Sequence, residues 1–181
     1  MIIFDTETTG LPKAIASNNR HQPKIIEFAA IKLSDDDFRE TDRIQFLINP
    51  KRKIPPEIIK ITNITDSMLK DASFFEDKID EIVSFFSGEN NLIAHNLAFD
   101  KLMLELEFER AGRDDFEMPK NLICTVEQSF HIKGFRLKQS ALFDLATDGL
   151  EFSGAHRAMN DVEALCTCAL WMIDNNYIEL K

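Results

Sequence analysis

Met1-Ile2-Ile3-Phe4-Asp5-Thr6-Glu7-Thr8-Thr9-Gly10 opens the chain, and this stretch decides the fold that we predict. Its apolar, β-type run ends in two acids, Asp5 and Glu7, that are separated by a single residue. Because side chains alternate between the two faces of a strand, both carboxylates project from the same side. Two carboxylates on one face repel each other unless a cation lies between them, and hard cations such as Mg²⁺ prefer oxygen ligands. The stretch therefore predicts half of a metal site at the end of a strand, although two solvated acids would give the same pattern.

Composition narrows the class of protein. The chain has 181 residues, enough to bury a hydrophobic core, and we expect one domain over residues 1–181. Its formal net charge of −10 argues against a protein that coats nucleic acid without regard to sequence. An enzyme that meets only the end of a strand is compatible with that charge, because bound divalent cations neutralise acids that repel phosphate. No segment of the sequence approaches the roughly 18 consecutive apolar residues of a membrane span.

Cysteine usage indicates a reducing compartment. Cys124, Cys166 and Cys168 form no CxxC pair, so neither a disulfide framework nor a zinc site is predicted. The strand pattern begins at Met1 itself, so we expect no leader sequence. These observations predict a cytoplasmic protein.

Hydrophobic periodicity predicts an α/β protein. Strands are predicted at residues 2–6, 24–33, 43–48, 92–94 and 122–125, and the polar, Asn-rich stretch 12–23 is predicted to be a loop. Helices are predicted near residues 57–61, after Thr65-Asp66, and at 74–86, 97–111, 138–147 and 157–175. Early strands followed by strands that alternate with helices indicate a mixed sheet flanked by helices.

Two further acids and a histidine occupy positions where ligands collect in α/β proteins. Asp100 lies in the first turn of a predicted helix, just after the short strand 92–94, and the carboxyl ends of strands meet at one edge of an open sheet. Asp161 lies near the start of the last helix, and His156 precedes it on the entry to that helix. A neutral imidazole there suits a general base. Taken singly, either acid is better explained by a helix-dipole or capping role, and the histidine could lie on an exposed loop without a function.

Together these residues form three ordered motifs. Asp5-Thr6-Glu7-Thr8-Thr9-Gly10, His95-Asn96-Leu97-Ala98-Phe99-Asp100 and His156-Arg157-Ala158-Met159-Asn160-Asp161 resemble the motifs of the DEDDh 3′–5′ exonucleases. This is the superfamily of the proofreading epsilon subunit of bacterial DNA polymerase III. The resemblance extends over nearly the whole chain, and it includes the stretch 54–72.

The resemblance implies a fold, cofactors and a mechanism. The fold would be ribonuclease H-like, an α/β architecture with a central five-stranded mixed sheet flanked by helices. Two divalent ions, Mg²⁺ or Mn²⁺, would be held by the four acids, with Asp5 bridging both. Glu7 and Asp161 would hold the ion that carries the attacking water, and Asp100 would support the second ion. His156 would take the proton from the water, and nucleoside 5′-monophosphates would leave one at a time from a free 3′ end.

The resemblance also implies how the 3′-terminal nucleotide is bound. Backbone amides of Thr8, Thr9 and Gly10 would hold this nucleotide, and Leu11 would insert as a wedge beside the last base. Phe99 would pack on the terminal nucleotide, since stacking tolerates any base, although its spacing also fits a core position. Asn96 would hydrogen-bond the end of the strand or would cap its helix.

The implied partner is a single-stranded or frayed nucleic-acid 3′ end, with DNA favoured over RNA, and no membrane. The resemblance also allows a DNA polymerase or another replication protein as a partner. Three alternatives stay open: an exoribonuclease acting on short RNA, a module that binds 3′ ends or a protein partner without cutting, and a metal-dependent nucleotide phosphatase. Two basic clusters, Lys51-Arg52-Lys53 and the group of Lys133, Arg136 and Lys138, could touch phosphates or could simply be solvated.

Overall fold

The computed structural model describes residues 1–13 and 19–181 and shows a five-stranded sheet with helices on both faces. The strands are β1 (Ile2–Thr8), β2 (Ile25–Leu33), β3 (Glu40–Leu47), β4 (Asn91–Ala94) and β5 (Asn121–Cys124). The helices are α1 (Pro56–Thr62), α2 (Asp66–Leu69), α3 (Ile79–Phe86), α4 (Leu97–Ala111), α5 (Thr125–Lys133), α6 (Gln139–Ala146) and α7 (Ala158–Asp174), with single 3₁₀ turns at Asn19–His21 and Phe75–Asp77. Within these described residues, every helix is too short or too polar to cross a membrane.

β1 lies at the centre of the sheet, in the strand order β3-β2-β1-β4-β5. β2 runs antiparallel to β1 and β3, whereas β4 runs parallel to β1 and β5. The predicted α/β class with a mixed five-stranded sheet is therefore confirmed. Because β1, β4 and β5 are parallel, their carboxyl ends share one edge, and the residues that follow these strands gather there.

Alternation along β1 directs its side chains toward two hydrophobic cores. Phe4 packs on one face of the sheet with residues of α3 and α4, and Ile3 packs on the other face with residues of α7. Asp5 and Glu7 point to the same face of the sheet as Ile3, whereas Thr6 points to the same face as Phe4. The strand thus distributes its polar end between two helices, each of which contributes an acid.

The main element that the sequence pattern did not predict is α5. The pattern predicts Thr125 at the end of the fifth strand, whereas Thr125 begins α5. The apolar residues of this helix form no continuous stripe, and Phe130 is 53% exposed, so there is little periodicity to detect. The helix predicted over 74–86 is divided into a 3₁₀ turn and α3. Residues 14–18 of the predicted loop 12–23 lie outside the described residues.

Candidate active site

Three carboxylates meet between the end of β1 and the start of α7. Asp5 and Glu7 project from β1 toward the face that α7 covers, and Asp161 lies in the first turn of α7. One carboxylate oxygen of each residue lies within 4.8 Å of the other two. The N–H of Arg157, the residue before α7, donates to Asp161 Oδ2 at 3.1 Å and fixes that carboxylate against the helix start. The structure thus brings together three of the four acids predicted as metal ligands.

Burial and the repulsion of neighbouring carboxylates act on all three of these acids. Burial raises the pKa of Asp5 well above its ordinary value, and the negative charge of Asp100 raises it further. Burial, with the charges of Asp161 and Glu27, raises the pKa of Glu7 to about 8. Burial also raises the pKa of Asp161. A buried cluster of repelling oxygen donors fits a hard divalent cation, because the cation would remove the repulsion and coordinate the oxygens.

Asp100, the fourth predicted ligand, approaches β1 from the opposite face. It lies in the first turn of α4 and is 2% exposed. Its Oδ1 accepts hydrogen bonds from the N–H of Thr6 at 3.0 Å and from Thr6 Oγ1 at 2.7 Å. Burial raises the pKa of Asp100 to about 7, although the bonds from Thr6 lower it. Asp100 lines the same cleft as Asp5 but stands outside the three-acid cluster.

His156 lies on the exposed segment between α6 and α7, and it lines the same cleft as the acids. The backbone φ is 66° at His156 and 81° at Gly154. Asn160, in the first turn of α7, donates from Nδ2 to the carbonyl oxygen of Gly154 at 2.9 Å. A Cβ at Gly154 would lie 2.7 Å from that same nitrogen, so glycine is what allows this contact. The third predicted motif therefore folds its own histidine segment back onto α7.

Glu27 is the main site residue that the sequence analysis missed. It is fully buried in β2 and is the register partner of Glu7 on β1. Its carboxylate accepts four hydrogen bonds, from Arg157 Nε (3.0 Å), Arg157 Nη2 (2.9 Å), the N–H of Ala158 (3.0 Å) and Gln45 Nε2 (2.9 Å). The sequence does contain a signal for Glu27, since it is the single acid inside the apolar run Ile25–Leu33. A carboxylate buried in such a strand requires hydrogen-bonding or charged partners.

The ion pair between Glu27 and Arg157 connects two parts of the site. Arg157 follows His156 directly, and its guanidinium reaches a carboxylate on the strand beside Glu7. The side chain of Glu27 is 0% exposed and that of Arg157 is 35% exposed. The histidine segment is therefore anchored to the sheet at the level of the three-acid cluster.

The acids and His156 share one cleft of about 650 Å³. Leu11, the predicted wedge, is 79% exposed and forms part of its wall. Phe99 is half-buried and also lines the cleft, as does the exposed Asn96. Asn96 occupies the position before α4 with φ of 68°, but its side chain makes no capping hydrogen bond. The prediction that the side chain of Asn96 caps α4 is therefore wrong, and Asn96 lines the cleft instead.

The turn Thr8-Thr9-Gly10 lies beside the cleft rather than in its lining. The N–H of Thr9 donates to the carbonyl oxygen of Lys24 at 2.8 Å, and Thr8 Oγ1 donates to the carbonyl oxygen of Gly10 at 2.8 Å. Because the amide of Thr9 is used in this backbone contact, it has no hydrogen to offer to a nucleotide in this arrangement. The N–H of Gly10 donates to Thr8 Oγ1 at the longer distance of 3.4 Å, and nucleotide binding by the amides of Thr8 and Gly10 stays a prediction.

Two further cleft residues, His95 and Gln139, received no role from the sequence, and Lys138 was predicted only as part of a basic cluster. His95 Nδ1 lies 2.9 Å from Thr125 Oγ1, and burial lowers the pKa of His95 to about 4. Gln139 Nε2 donates to the carbonyl oxygen of Asp161 at 2.7 Å and ties α6 to the start of α7. Lys138 adds a cation to the wall of the cleft. These contacts join segments far apart in the chain, so no local pattern marks them.

Comparison with known sequences gives a match over most of the chain. A sequence model of a family described as exonuclease (RNase_T) matches residues 2–168. A DNA polymerase III PolC-type protein of Staphylococcus epidermidis is 32% identical over an alignment of 188 residues, gaps included. This alignment covers 99% of this chain and 12% of that protein. The PolC-type protein of Staphylococcus haemolyticus is 34% identical over 173 residues, covering 95% of this chain and 11% of that protein. The chain therefore spans about an eighth of the length of these relatives.

Solved structures show the same fold. Exonuclease X, solved in complex with 5′ overhanging duplex DNA, aligns with a TM-score of 0.65 and 24% identity over 98% of this chain and 93% of that chain. The nuclease domain of 3′hExo, described as a DEDDh family member bound to rAMP, aligns with a TM-score of 0.79 and 15% identity over 99% and 94% of the two chains. The predicted ribonuclease H-like fold is confirmed by these likenesses.

Proposed function

Because the chain belongs to the DEDDh 3′–5′ exonuclease family, we propose that it hydrolyses DNA from a free 3′ end and releases nucleoside 5′-monophosphates. The observation that carries this proposal is the cluster of Asp5, Glu7 and Asp161, with His156 on the wall of the same cleft. A module that only binds 3′ ends has no need to hold three mutually repelling carboxylates together, whereas hydrolysis at phosphorus uses the cations that such a cluster binds.

Two divalent cations, Mg²⁺ or Mn²⁺, are the cofactors in this proposal. Asp5, Glu7 and Asp161 would hold one of them, and Asp5 with Asp100 would hold the other. The position of Asp5 supports the sharing, because the charges of Asp100 and Asp161 both raise its pKa. When bound, such cations neutralise charge on the phosphate and stabilise the entering and leaving oxygens of an in-line displacement.

His156 is the general base in this proposal and would accept the proton of the attacking water at a ring nitrogen. Its segment is held by the Asn160–Gly154 hydrogen bond and is followed by the anchored Arg157. The other histidine of the cleft, His95, is poorly suited to the role. Its Nδ1 is engaged with Thr125, and a pKa of about 4 makes it too weak a base to keep a proton taken from water.

The cleft walls would hold the terminal nucleotide. Leu11 is exposed enough to press against the last base, and the half-buried ring of Phe99 offers a face for stacking. The uncapped amide of Asn96 can donate to a terminal hydroxyl or accept from it. Contacts of this kind do not depend on which base is present, which suits an enzyme that removes nucleotides in succession.

The deciding experiment is a time course on 5′-labelled single-stranded DNA and RNA of equal sequence, with Mg²⁺, with Mn²⁺ and with EDTA. We expect a metal-dependent ladder that shortens from the 3′ end, with mononucleotides as the product. Release of inorganic phosphate from nucleotides, with no shortening of either strand, would identify a nucleotide phosphatase instead.

Asp5→Asn supplies the site variant for this assay, and we expect it to abolish the ladder. Asp36→Asn is the matched control, because Asp36 is exposed in the turn between β2 and β3, away from the carboxyl end of β1. Full activity of Asp5→Asn, with normal activity of the control, would overturn the assignment of the site.

DNA is proposed over RNA because the curated relatives are named as DNA polymerases. Faster digestion of RNA in the same assay would favour the exoribonuclease alternative. The names of these relatives also make a replication polymerase the partner that we propose. A proofreading role predicts faster removal of a mismatched than of a matched 3′ nucleotide from a primer–template duplex.

A further inference from the structure

A second concave site, of about 530 Å³, lies outside the acidic cleft and has the opposite charge. Five cationic side chains from three segments of the chain line it: Arg20, Lys24, Lys51, Arg52 and Arg110. The lining includes two acids, Glu76 and Glu109, and Glu107 pairs with Arg110 from beside the lining, so positive charge is in excess by two. In a chain with a net charge of −10, such a concentration of cations differs from the average surface. We call this site the basic pocket.

Backbone contacts build the basic pocket, in which Lys51 is paired with Glu76 at 3.1 Å. Arg52 donates to the carbonyl oxygens of Gln22 at 3.1 Å and Arg20 at 3.0 Å. Arg110 donates to the carbonyl oxygen of Pro23 at 2.7 Å and is also paired with Glu107 at 2.8 Å. A carbonyl oxygen positions a guanidinium but carries no full charge, so within the described part of the chain the Arg52 cation is held in place without an anion.

Lys24 is the cation whose position is most informative. It is half-buried, and its ammonium makes no hydrogen bond or ion pair with the described residues, 1–13 and 19–181. Burial lowers the pKa of Lys24, the charge of Glu107 opposes this effect, and the charges of Arg110 and Arg52 lower the pKa further. A partly desolvated ammonium among other cations is an arrangement that an anion would stabilise.

The basic pocket borders the turn that carries the predicted wedge. The N–H of Lys24 donates to Thr9 Oγ1 at 2.9 Å, and the N–H of Thr9 donates back to the carbonyl oxygen of Lys24 at 2.8 Å. Leu11, two residues after Thr9, lines the catalytic cleft. This turn therefore connects the two sites, and a nucleic acid whose last nucleotide occupies the cleft can reach the pocket by crossing it.

We propose that the basic pocket binds phosphate groups of the nucleic-acid backbone outside the catalytic cleft, and this proposal rests on the proposed function. Lys24 and Arg52 supply the principal contacts, and Arg110 holds the pocket in shape. The repulsion expected between a chain of net charge −10 and a polyanion is thereby offset locally, on one side of the cleft entrance.

Binding measured without turnover tests this proposal. Fluorescein-labelled single-stranded DNA, and a duplex of the same strand with a recessed 3′ end, are titrated with protein in EDTA and followed by fluorescence anisotropy at several salt concentrations. Lys24→Gln should weaken binding about five- to eightfold at 0.1 M salt, the effect of one lost phosphate contact. The slope of log Kobs against log salt should become shallower by about 0.7 for the single strand and about 0.9 for the duplex.

Three variants control this measurement. Arg52→Gln should lower the slope in the same way, so the outcome does not depend on the folding of one variant. Lys24→Arg keeps the positive charge and should keep the slope of the wild-type protein. Lys120→Gln removes the same charge at the amino end of β5, the opposite edge of the sheet, and should change neither affinity nor slope.

Each result has a defined meaning. If the variants lose affinity for both DNA substrates, the pocket binds the strand being digested. If they lose affinity for the duplex alone, the pocket binds the complementary strand. Wild-type affinity and slope for Lys24→Gln and Arg52→Gln on both substrates would overturn the proposal. Because EDTA prevents turnover, that failure would leave the exonuclease proposal intact. If the wild-type protein binds DNA through Lys24 but does not cut it in the presence of Mn²⁺, the exonuclease proposal alone would be refuted.

Discussion

Glu7→Gln should stabilise the metal-free protein at alkaline pH while removing a proposed metal ligand. Burial and the charges of Asp161 and Glu27 raise the pKa of Glu7 from 4.5 to about 8. A carboxyl whose pKa is higher in the folded than in the unfolded state holds its proton more tightly in the folded state. The free energy of unfolding therefore falls as pH rises from 4.5 to about 8, and the loss is nearly complete above pH 8.

The magnitude follows from the difference between the two pKa values of Glu7. Each pH unit between them costs about 1.36 kcal/mol, so the penalty at pH 8 is about 4 kcal/mol. Glutamine removes the charge, but its buried amide costs about 1 kcal/mol when it is incompletely hydrogen-bonded. The net gain of about 3 kcal/mol corresponds to a melting temperature about 6–12 °C higher for a chain of this length.

The assay is thermal unfolding followed by circular dichroism, at pH 5.5 and pH 8.0 in EDTA. The wild type should lose much of its stability between these pH values, and Glu7→Gln should lose much less. Glu117→Gln controls for the change in net charge, because Glu117 is exposed in the segment before β5 and lies away from the acids. Addition of Mn²⁺ at pH 8.0 should stabilise the wild type more than Glu7→Gln.

One result would refute this reasoning. If Glu7→Gln melts no higher than the wild type at pH 8.0 in EDTA, while both have the same circular dichroism spectrum, the acids do not repel one another in the folded protein. The cluster would then have to be open enough for water to screen it, and its fit to a divalent cation would lose its electrostatic basis.

Four further variants test the histidine segment and its anchor on the sheet. His156→Ala should lower kcat by roughly 10²–10⁴-fold, the usual effect of losing a general base, with little change in the affinity for Mn²⁺ measured by calorimetry. Arg157→Gln should reduce the free energy of unfolding by about 3–5 kcal/mol in urea titrations, because it leaves the fully buried Glu27 unpaired. Glu27→Gln should cost about 2 kcal/mol, since the 35% exposed guanidinium of Arg157 can be rehydrated; an equal cost for the two variants would contradict this account. Gly154→Ala should displace the Asn160 amide and lower kcat roughly tenfold without changing metal affinity, and unchanged kcat would show that this contact does not position His156.

The sheet and the three-acid cluster could be predicted because their determinants are local. Alternation along residues 2–8 places Asp5 and Glu7 on one face, and the position of Asp161 in the first turn of α7 follows from the chain pattern. The parallel arrangement of β1 and β4 then brings the start of α4 to the same edge. The opposite approach of Asp100 follows from the same alternation, since its partner Thr6 faces away from Asp5.

The remaining features depend on contacts between distant parts of the chain. Glu27 and Arg157 are far apart in sequence, so neither one reveals the partner that its burial requires. The basic pocket is equally hidden, because Lys24 and Arg110 come together only when the end of α4 packs beside the start of β2. Thr9 has the sequence of a nucleotide-binding turn, but a backbone hydrogen bond to Lys24 competes for its amide. The positions of the three motifs in the sequence predict the chemistry of the site. The contacts that support the site form only when distant parts of the chain pack together.

The Glu27–Arg157 ion pair must accompany the sequence motifs when this site is inherited or transferred to another scaffold. A scaffold given the acids of β1 and the motif of α7, but an apolar residue at position 27, would carry a guanidinium without its anchor beside the histidine. Changing either partner first passes through a weakened intermediate, because a buried charge loses its counterion. A library that redesigns this entrance should therefore vary positions 27 and 157 jointly, and descendants of this sequence should keep or replace the two residues as a pair.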